Sequence, residues 1–456
     1  MIHIKENFRD HSVCIIGLGY VGLTLATVMA GSGFHVTGIE IRPDVLELLR
    51  AGKPHFFEPG LDGRLKKAIQ DGRMEFFHEI PSDCQATVFI ITVGTPLGPD
   101  GKSRMDSIAA TARQVAKMLK QGDLVILRST VKLGTTRHVV LPLLQEAGVE
   151  FDLAFCPERT LEGKALIELR HLPQIVGGLT LAATIRASQI FQFLTPTVVR
   201  VSDLETAELI KLIDNANRDI MFAYANEVAR GCDALGISAV EVIQAGKLGY
   251  PRTNLPMPGL VGGPCLEKDP YILAEGLQEL GITPEITLTA RRINERQPIE
   301  VAAYLSGLAR GLGGFPDEPV VSLMGLAFKG QPETDDLRGT MAKPALAALR
   351  DQFPNGKFRG YDAMVAQDEI VKLGLVPCGS IEEAMTGANL VVILNNHSSF
   401  MAMPIEVLSS TLAKPGIIYD FWNHFSADEL SLAEGVGYIA LGSHGRGITP
   451  REHLNG

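Results

Sequence analysis

The chain has 456 residues, 46% hydrophobic and 21% charged, with a formal net charge of −10. That length admits roughly two to four domains, the composition excludes disordered and fibrous classes, and an acidic chain without a Lys/Arg block excludes a nucleic-acid tail. The longest apolar runs, Val88–Ile91 and residues 390–394, are strand-length and far short of a membrane span. Residues 1–7 carry no hydrophobic leader, so a cytoplasmic protein without membrane contact is expected. Six cysteines (Cys14, Cys84, Cys156, Cys232, Cys265, Cys378) lie far apart without zinc-type spacing, which predicts reduced thiols and no metal.

In chain order, Ser12–Ile16 reads as a strand, followed by the glycine loop Gly17-Leu18-Gly19-Tyr20-Val21-Gly22 and a helix through Ala30. A second strand at 34–39 ends in Glu40, about 20 residues after the loop, the spacing of a dinucleotide-binding βαβ unit. Gly17 would make the tight turn, Gly19 admit the pyrophosphate and Gly22 let helix and strand pack. Glu40 would take the ribose hydroxyls and favour NAD, although Arg42 is placed to accommodate a 2′-phosphate. Strands at 87–93, 124–127 and 153–155 alternate with helical patterns at 106–120 and 135–147, predicting a doubly wound sheet. Thr95 and Thr130 fall in loops after two of these strands, where open sheets bind ligands; plain turn chemistry is the bland alternative. Glu158 and Glu162 lie in the loop after the third, and surface salt bridges would also explain them.

A long helical stretch begins at Leu204 and runs to Gly236. Lys211 and Asn215 share one face of it, with Glu208 one turn earlier. Leu209, Ile210, Leu212 and Ile213 predict burial on more than one side, so the lysine and asparagine need polar partners. Downstream, Gly262-Gly263-Pro264-Cys265 sets a thiol beside two glycines, an arrangement that suits a substrate-accessible nucleophile or a packing cysteine in a turn. Asp269 would lie one turn on if a helix begins there. More helix is predicted over 273–310, a Gly/Pro-rich linker over 311–319, and a second alternation with strands at 320–325, 358–361, 390–394 and 416–419. The segment after Gly442 reads as loosely structured. The predicted organisation is α/β: a Rossmann-type doubly wound domain over 1–203, an all-helical domain over 204–310, the linker, and a Rossmann-like domain over 320–456.

Together, GLGYVG, VGTP, RSTVKLGTT, CPERTLEGKA, AELIKLIDNANR, GGPCLEKD and FKGQPETDDLRGT resemble, in order, the UDP-glucose/UDP-N-acetylmannosamine 6-dehydrogenase family, over most of the chain. The resemblance implies NAD-dependent twofold oxidation of the primary alcohol of a UDP-sugar to the uronic acid. It makes Cys265 the nucleophile of a thiohemiacetal and then a thioester, with Asp269 assisting hydrolysis and Lys211 and Asn215 stabilising the oxyanion. Thr130 and Glu158 would position the catalytic water. Glu162, Gly262, Lys329 and Arg338 would contact the substrate, with Tyr20, Val21 and Thr95 on the cofactor side. It also implies a homodimer formed by the central helices, Arg252 reaching the neighbour's substrate, and a C-terminal UDP-binding domain.

Several positions depart from the family pattern. Leu133 and Gly94 replace prolines, and Asp420-Phe421-Trp422-Asn423 lacks a usual arginine. Arg159 with Gly163 resembles the N-acetylhexosamine branch, whereas Gly263-Pro264-Cys265 resembles the glucose branch, so both substrates stay open. A non-catalytic NAD or nucleotide-sugar-binding regulator, or a single-step hydroxyacid-type dehydrogenase, are the competing readings; mere binding does not require Lys211, Asn215, Cys265 and Asp269 together, and a single-step enzyme does not explain Cys265 or a second α/β domain.

Overall fold

The computed structural model describes residues 4, 5 and 7–447. The chain forms two compact units, one of Met1–Asn215 with Lys268–Pro284, the other of Ala216–Glu267 with Glu285–Gly456.

The first unit carries an eight-stranded sheet: β1 (Ser12–Ile16), β2 (His35–Ile39), β3 (Met74–Phe77), β4 (Val88–Ile91), β5 (Asp123–Leu127), β6 (Phe151–Phe155), β7 (Gln174–Gly178) and β8 (Val198–Val201), in the order β3-β2-β1-β4-β5-β6-β7-β8. Every pairing is parallel except β6 with β7. The inner strands β4 and β5 are buried on both faces, as the apolar runs Val88–Ile91 and Leu124–Leu127 require of a sheet covered by helices. The strand order reverses between β1 and β4, the crevice where such sheets bind ligands.

The second unit repeats the plan with β9 (Val320–Met324), β10 (Lys357–Tyr361), β11 (Val376–Pro377), β12 (Leu390–Ile393), β13 (Gly416–Asp420) and β14 (Val436–Ala440), ordered β11-β10-β9-β12-β13-β14 and wholly parallel. Its switch point lies between β9 and β12. The main central helices are Leu204–Leu235, Ala239–Lys247, Asp269–Glu279 and Glu285–Gly311.

Some expectations need correction. Residues 273–310 are not one helix: Gly281, at φ 78, ends the first, and a second starts at Glu285 directly after Pro284. The helix expected over 135–147 opens as a widened π-type turn, Thr136–Val140, before Leu141–Gln145, where Pro142 has no N–H to return to the preceding turn. Ile213 is 46% exposed, so its helix is less enclosed than the sequence implied. Residues 443–447 are ordered, with a 3-10 turn at His444–Arg446 whose His444 N–H donates to Asp233 (2.8 Å); residues 448–456 of that segment, like 1–3 and Glu6 of the N-terminal stretch, lie outside the described residues. Among the described residues, no helix is long and apolar enough to cross a membrane, and no group of three His, Cys, Asp or Glu side chains could hold a metal ion.

Candidate active site

At the carboxyl end of β1, Gly17 takes φ 93 and its N–H donates to Ile39 O (2.9 Å). A Cβ on Gly22 would lie 1.9 Å from Gly17 O, while one on Gly19 would meet nothing within 4 Å. Gly22 therefore serves close packing, and Gly19 leaves the open space a pyrophosphate needs at the N-terminus of Tyr20–Gly31. The residues thus fit a dinucleotide. Val21 is half-buried in the first turn of that helix. Glu40 is buried, its Oε1 accepting the Arg42 N–H (3.0 Å) with the Arg42 guanidinium 3.8 Å away, so Arg42 answers the carboxylate.

Tyr20 is tied to a residue that the sequence reading missed. Its hydroxyl donates to Glu58, and the Gly163 N–H donates to Glu58 Oε2 (2.8 Å). Burial and the Glu58 carboxylate push the Tyr20 hydroxyl's pKa upward. Glu162, beside Gly163, is buried. Thr95 donates to Thr130 O (2.6 Å), joining the two loops after β4 and β5.

Arg128, directly after β5, is 2% exposed. Its Nε (3.1 Å) and Nη2 donate to Glu158 Oε2, and its Nη1 donates to Cys156 O (2.9 Å) and Gln174 Oε1 (2.9 Å). Glu158 Oε1 accepts the backbone N–H groups of Arg159 (2.8 Å) and Thr160 (2.7 Å). Burial alone would raise the Glu158 pKa, but Arg128, the Thr160 N–H and Lys211 outweigh it and hold the carboxyl below its ordinary value. Glu158 is thus a fixed anion whose oxygens are already engaged, which suits it to oppose a positive charge better than to take a proton. Arg159 pairs with Asp214 (3.2 Å) and donates to Pro173 O (2.6 Å).

On the long central helix, Glu208 accepts the N–H groups of Gly134 (2.6 Å) and Thr136 (2.8 Å) and the Thr136 hydroxyl, clamping the loop that carries Thr130. Burial pushes its pKa up to about 7 despite these donors. Lys211 and Asn215 are buried, as their apolar neighbours predicted. Asn215 donates to Asp269 Oδ2 (2.6 Å) and Lys268 to Asp269 Oδ1 (3.0 Å), with the Asp269 side chain fully buried.

The thiol turn belongs to the second unit. Cys265 is exposed and the other five cysteines are buried. It sits in the short helix Gly263–Leu266, and Asp269 starts a separate helix, so the expected single turn between them is broken at Lys268 (φ −122). Arg291, 1% exposed, donates to Leu266 O (2.8 Å) and Val261 O (2.9 Å), pinning both ends of the turn, and to Asp219 (2.8 Å). Asn294 donates to Asp219 Oδ1 (2.9 Å), and Asn226 bonds both Asn294 Oδ1 (3.0 Å) and the backbone of Gly259. A signal for this network exists in the sequence: Asp219 and Asn226, and Arg291 and Asn294, interrupt the buried seams of their helices at helical spacing.

Gly262 and Gly263 adjoin residues 326–341, which follow β9. The Gly263 N–H donates to Gly339 O (2.7 Å). Lys329 stands over the Phe328 ring (5.2 Å), and the exposed Arg338 is held by Asp336 (2.6 Å). Trp422, in the segment that lacks the usual arginine, donates to Leu394 O (2.9 Å) and packs where Gly259 has no side chain. Arg252 is exposed, its guanidinium over Tyr250 (4.8 Å).

Family models described as the UDP-glucose/GDP-mannose dehydrogenase family match the chain in three parts: the NAD binding domain over 11–195, the central domain over 205–296 and the UDP binding domain over 322–427. A relative from Pyrococcus horikoshii named UDP-N-acetyl-D-mannosamine dehydrogenase is 32% identical over 413 residues, 89% of this chain and 94% of its own. A solved structure of UDP-D-ManNAc dehydrogenase from Pyrococcus horikoshii matches with TM-score 0.85 at 31% identity, covering 95% of this chain and 100% of that one. A solved UDP-glucose dehydrogenase from Pyrobaculum islandicum matches with TM-score 0.84 at 26% identity, covering 95% and 98%.

Proposed function

This chain belongs to the UDP-glucose/GDP-mannose dehydrogenase family, and on that premise we propose that it oxidises the primary alcohol of a UDP-sugar to the uronic acid through a covalent adduct on Cys265. The observation that carries the reading is that Cys265 alone of the six cysteines is exposed, in a turn fixed by the buried Arg291.

NAD, held by Gly17, Gly19, Tyr20, Val21, Gly22, Glu40, Arg42, Thr95 and Thr130, supplies the hydride acceptor for both oxidations. The Cys265 thiolate adds to the aldehyde carbon; oxidation of the resulting thiohemiacetal gives a thioester, and water then releases the acid and returns the thiolate. Lys211 and Asn215 stabilise the oxyanion on the reacting carbon. Glu158 serves as the fixed negative charge opposite Lys211 and orients water together with Thr130. Asp269, held by Asn215 and Lys268, orients the hydrolytic water. Glu162, Gly262, Lys329 and Arg338 contact the substrate, the two cations suiting its diphosphate.

The preferred substrate is a UDP-N-acetylhexosamine such as UDP-N-acetylmannosamine. Higher identity to the solved UDP-D-ManNAc dehydrogenase than to the solved UDP-glucose dehydrogenase supports this, 31% against 26%. The division into an NAD-binding domain over 1–203, a central domain over 204–310 and a nucleotide-sugar-binding domain over 320–456 is part of the same reading. So are a cytoplasmic location and a homodimer through the central helices. Exposed Tyr224 (58%), Leu235 (74%), Leu248 (84%) and Ile299 (59%) support the dimer, because large apolar side chains at a surface mark association sites; Arg252 would then reach the neighbour's substrate. NADH release measured across UDP-hexoses and UDP-N-acetylhexosamines tests the assignment. Turnover is expected with an N-acetylhexosamine; binding of every UDP-sugar without NADH would instead establish a regulator.

A further inference from the structure

We propose that Gly339 is a positioning residue through which a nucleoside diphosphate bound at residues 326–341 sets the placement of the Cys265 thiol. The inference rests on the reading above that Lys329 and Arg338 contact the diphosphate and that Cys265 is the nucleophile.

Residues 326–341 form a closed loop at the carboxyl end of β9, beside the switch point of the second sheet. Its near end is fixed by Asp362, which accepts the N–H groups of Leu326 (2.6 Å) and Ala327 (2.9 Å). Its far end returns to the same place, where the Thr340 hydroxyl donates to Leu326 O (2.6 Å). The Phe328 N–H donates to Asp336 O (3.1 Å) across the loop. Phosphate-binding candidates Lys329 and Arg338 thus stand on one braced segment.

That segment meets the thiol turn through a backbone hydrogen bond and through glycines that leave room for close approach. The Gly263 N–H donates to Gly339 O (2.7 Å), two residues before Cys265. A Cβ on Gly262 would fall 2.3 Å from Gly339 O, and one on Gly263 would fall 2.5 Å from the Phe328 ring. A Cβ on Gly339 would fall 2.6 Å from Glu267 Cδ and 2.7 Å from the Gly263 carbonyl carbon, at a φ of 61 that L side chains rarely adopt. Three glycines therefore let the two backbones approach closely, with the Phe328 ring and the Glu267 side chain packed against the contact.

Arg338 supplies the input. Its guanidinium is engaged by Asp336 through Nε (2.8 Å) and Nη2 (2.6 Å). A diphosphate competes with that carboxylate for the guanidinium fork, and movement of Arg338 passes through one peptide bond to Gly339 and its hydrogen bond to Gly263. The thiol turn is then set differently with nucleotide present than without it, a coupling between the two sites carried by this contact.

The test uses the full chain and UDP, which lacks the sugar and leaves the reacting position open. Alkylation of Cys265 by iodoacetamide is followed by peptide mass with and without UDP, and UDP affinity is measured by calorimetry. In the wild type, UDP is expected to change the Cys265 alkylation rate by about fivefold or more. In Gly339→Ala, UDP still binds but that change is lost. Phe328→Leu, which trims the ring against Gly263 without touching Gly339, reduces the change in the same direction and serves if Gly339→Ala does not fold. A UDP effect equally large in the variants is simple occlusion and overturns the proposal. UDP binding without any rate change in the wild type overturns it while leaving the nucleotide site intact; no UDP binding at all overturns the underlying assignment of Lys329 and Arg338, and the inference with it.

Discussion

Asp219 and Arg291 pair at 2.8 Å with each side chain only 1% exposed. A buried pair of this kind contributes little by itself, but removing one partner leaves the other charge uncompensated, at a cost of about 3–5 kcal/mol. Arg291→Met is therefore expected to lower stability by about that amount in urea unfolding, with Asp219→Asn milder because the guanidinium keeps Val261 O and Leu266 O as partners. Arg291→Lys retains the charge but cannot span both carbonyls. Its kcat should fall with the KM for NAD unchanged; a raised KM for NAD with normal kcat would contradict a role at the thiol turn.

Arg128 tests the fixed charge of Glu158. The depressed pKa of Glu158 means that its contribution to stability is present above the carboxylate's ordinary pKa and is lost as pH falls through its folded value. Arg128→Gln removes the largest cause of that depression and should cost about 3–5 kcal/mol at neutral pH. The difference from wild type should narrow as the solution is acidified. A constant difference across the acid range would show that Glu158 does not depend on Arg128 for its charge.

Glu208 predicts the opposite pH dependence. Its pKa rises on folding from 4.5 to about 7, so its contribution to stability is fully present below 4.5 and is lost as pH rises through 7. Wild type relative to Glu208→Gln should lose on the order of 2 kcal/mol across that window, read from thermal melts at stepped pH. A flat difference would place the carboxyl in a more hydrated setting.

Glu40 predicts cofactor choice. In the proposed NAD site, replacing Glu40 with Gln removes the charge that opposes a 2′-phosphate and leaves the Arg42 guanidinium without that carboxylate. The ratio of kcat/KM for NAD to that for NADP should fall by about tenfold, near 1.4 kcal/mol. An unchanged ratio would remove Glu40 from the ribose site.

What the sequence made legible follows where local pattern and tertiary need agree. The β1 loop, the long central helix and the buried Lys211 and Asn215 were readable because glycine spacing and helical period carry them. β7 was not: it ends in Gly177 and Gly178, and a Cβ on Gly177 would meet Asp203 O at 2.1 Å, so that glycine answers a packing need invisible in the chain. The same holds for Gly339, whose partner lies far away in sequence. Arg128, Glu58 and Arg291 were missed because charged residues are usually solvated, and their burial depends on partners supplied by distant segments.

The most direct measurement of the account is the yield of NADH and of uronic acid from a limiting amount of the UDP-sugar that the wild type turns over. Two NADH per acid are expected from the wild type, and no acid from Cys265→Ser. Full two-step turnover in the serine variant would contradict a covalent step on Cys265.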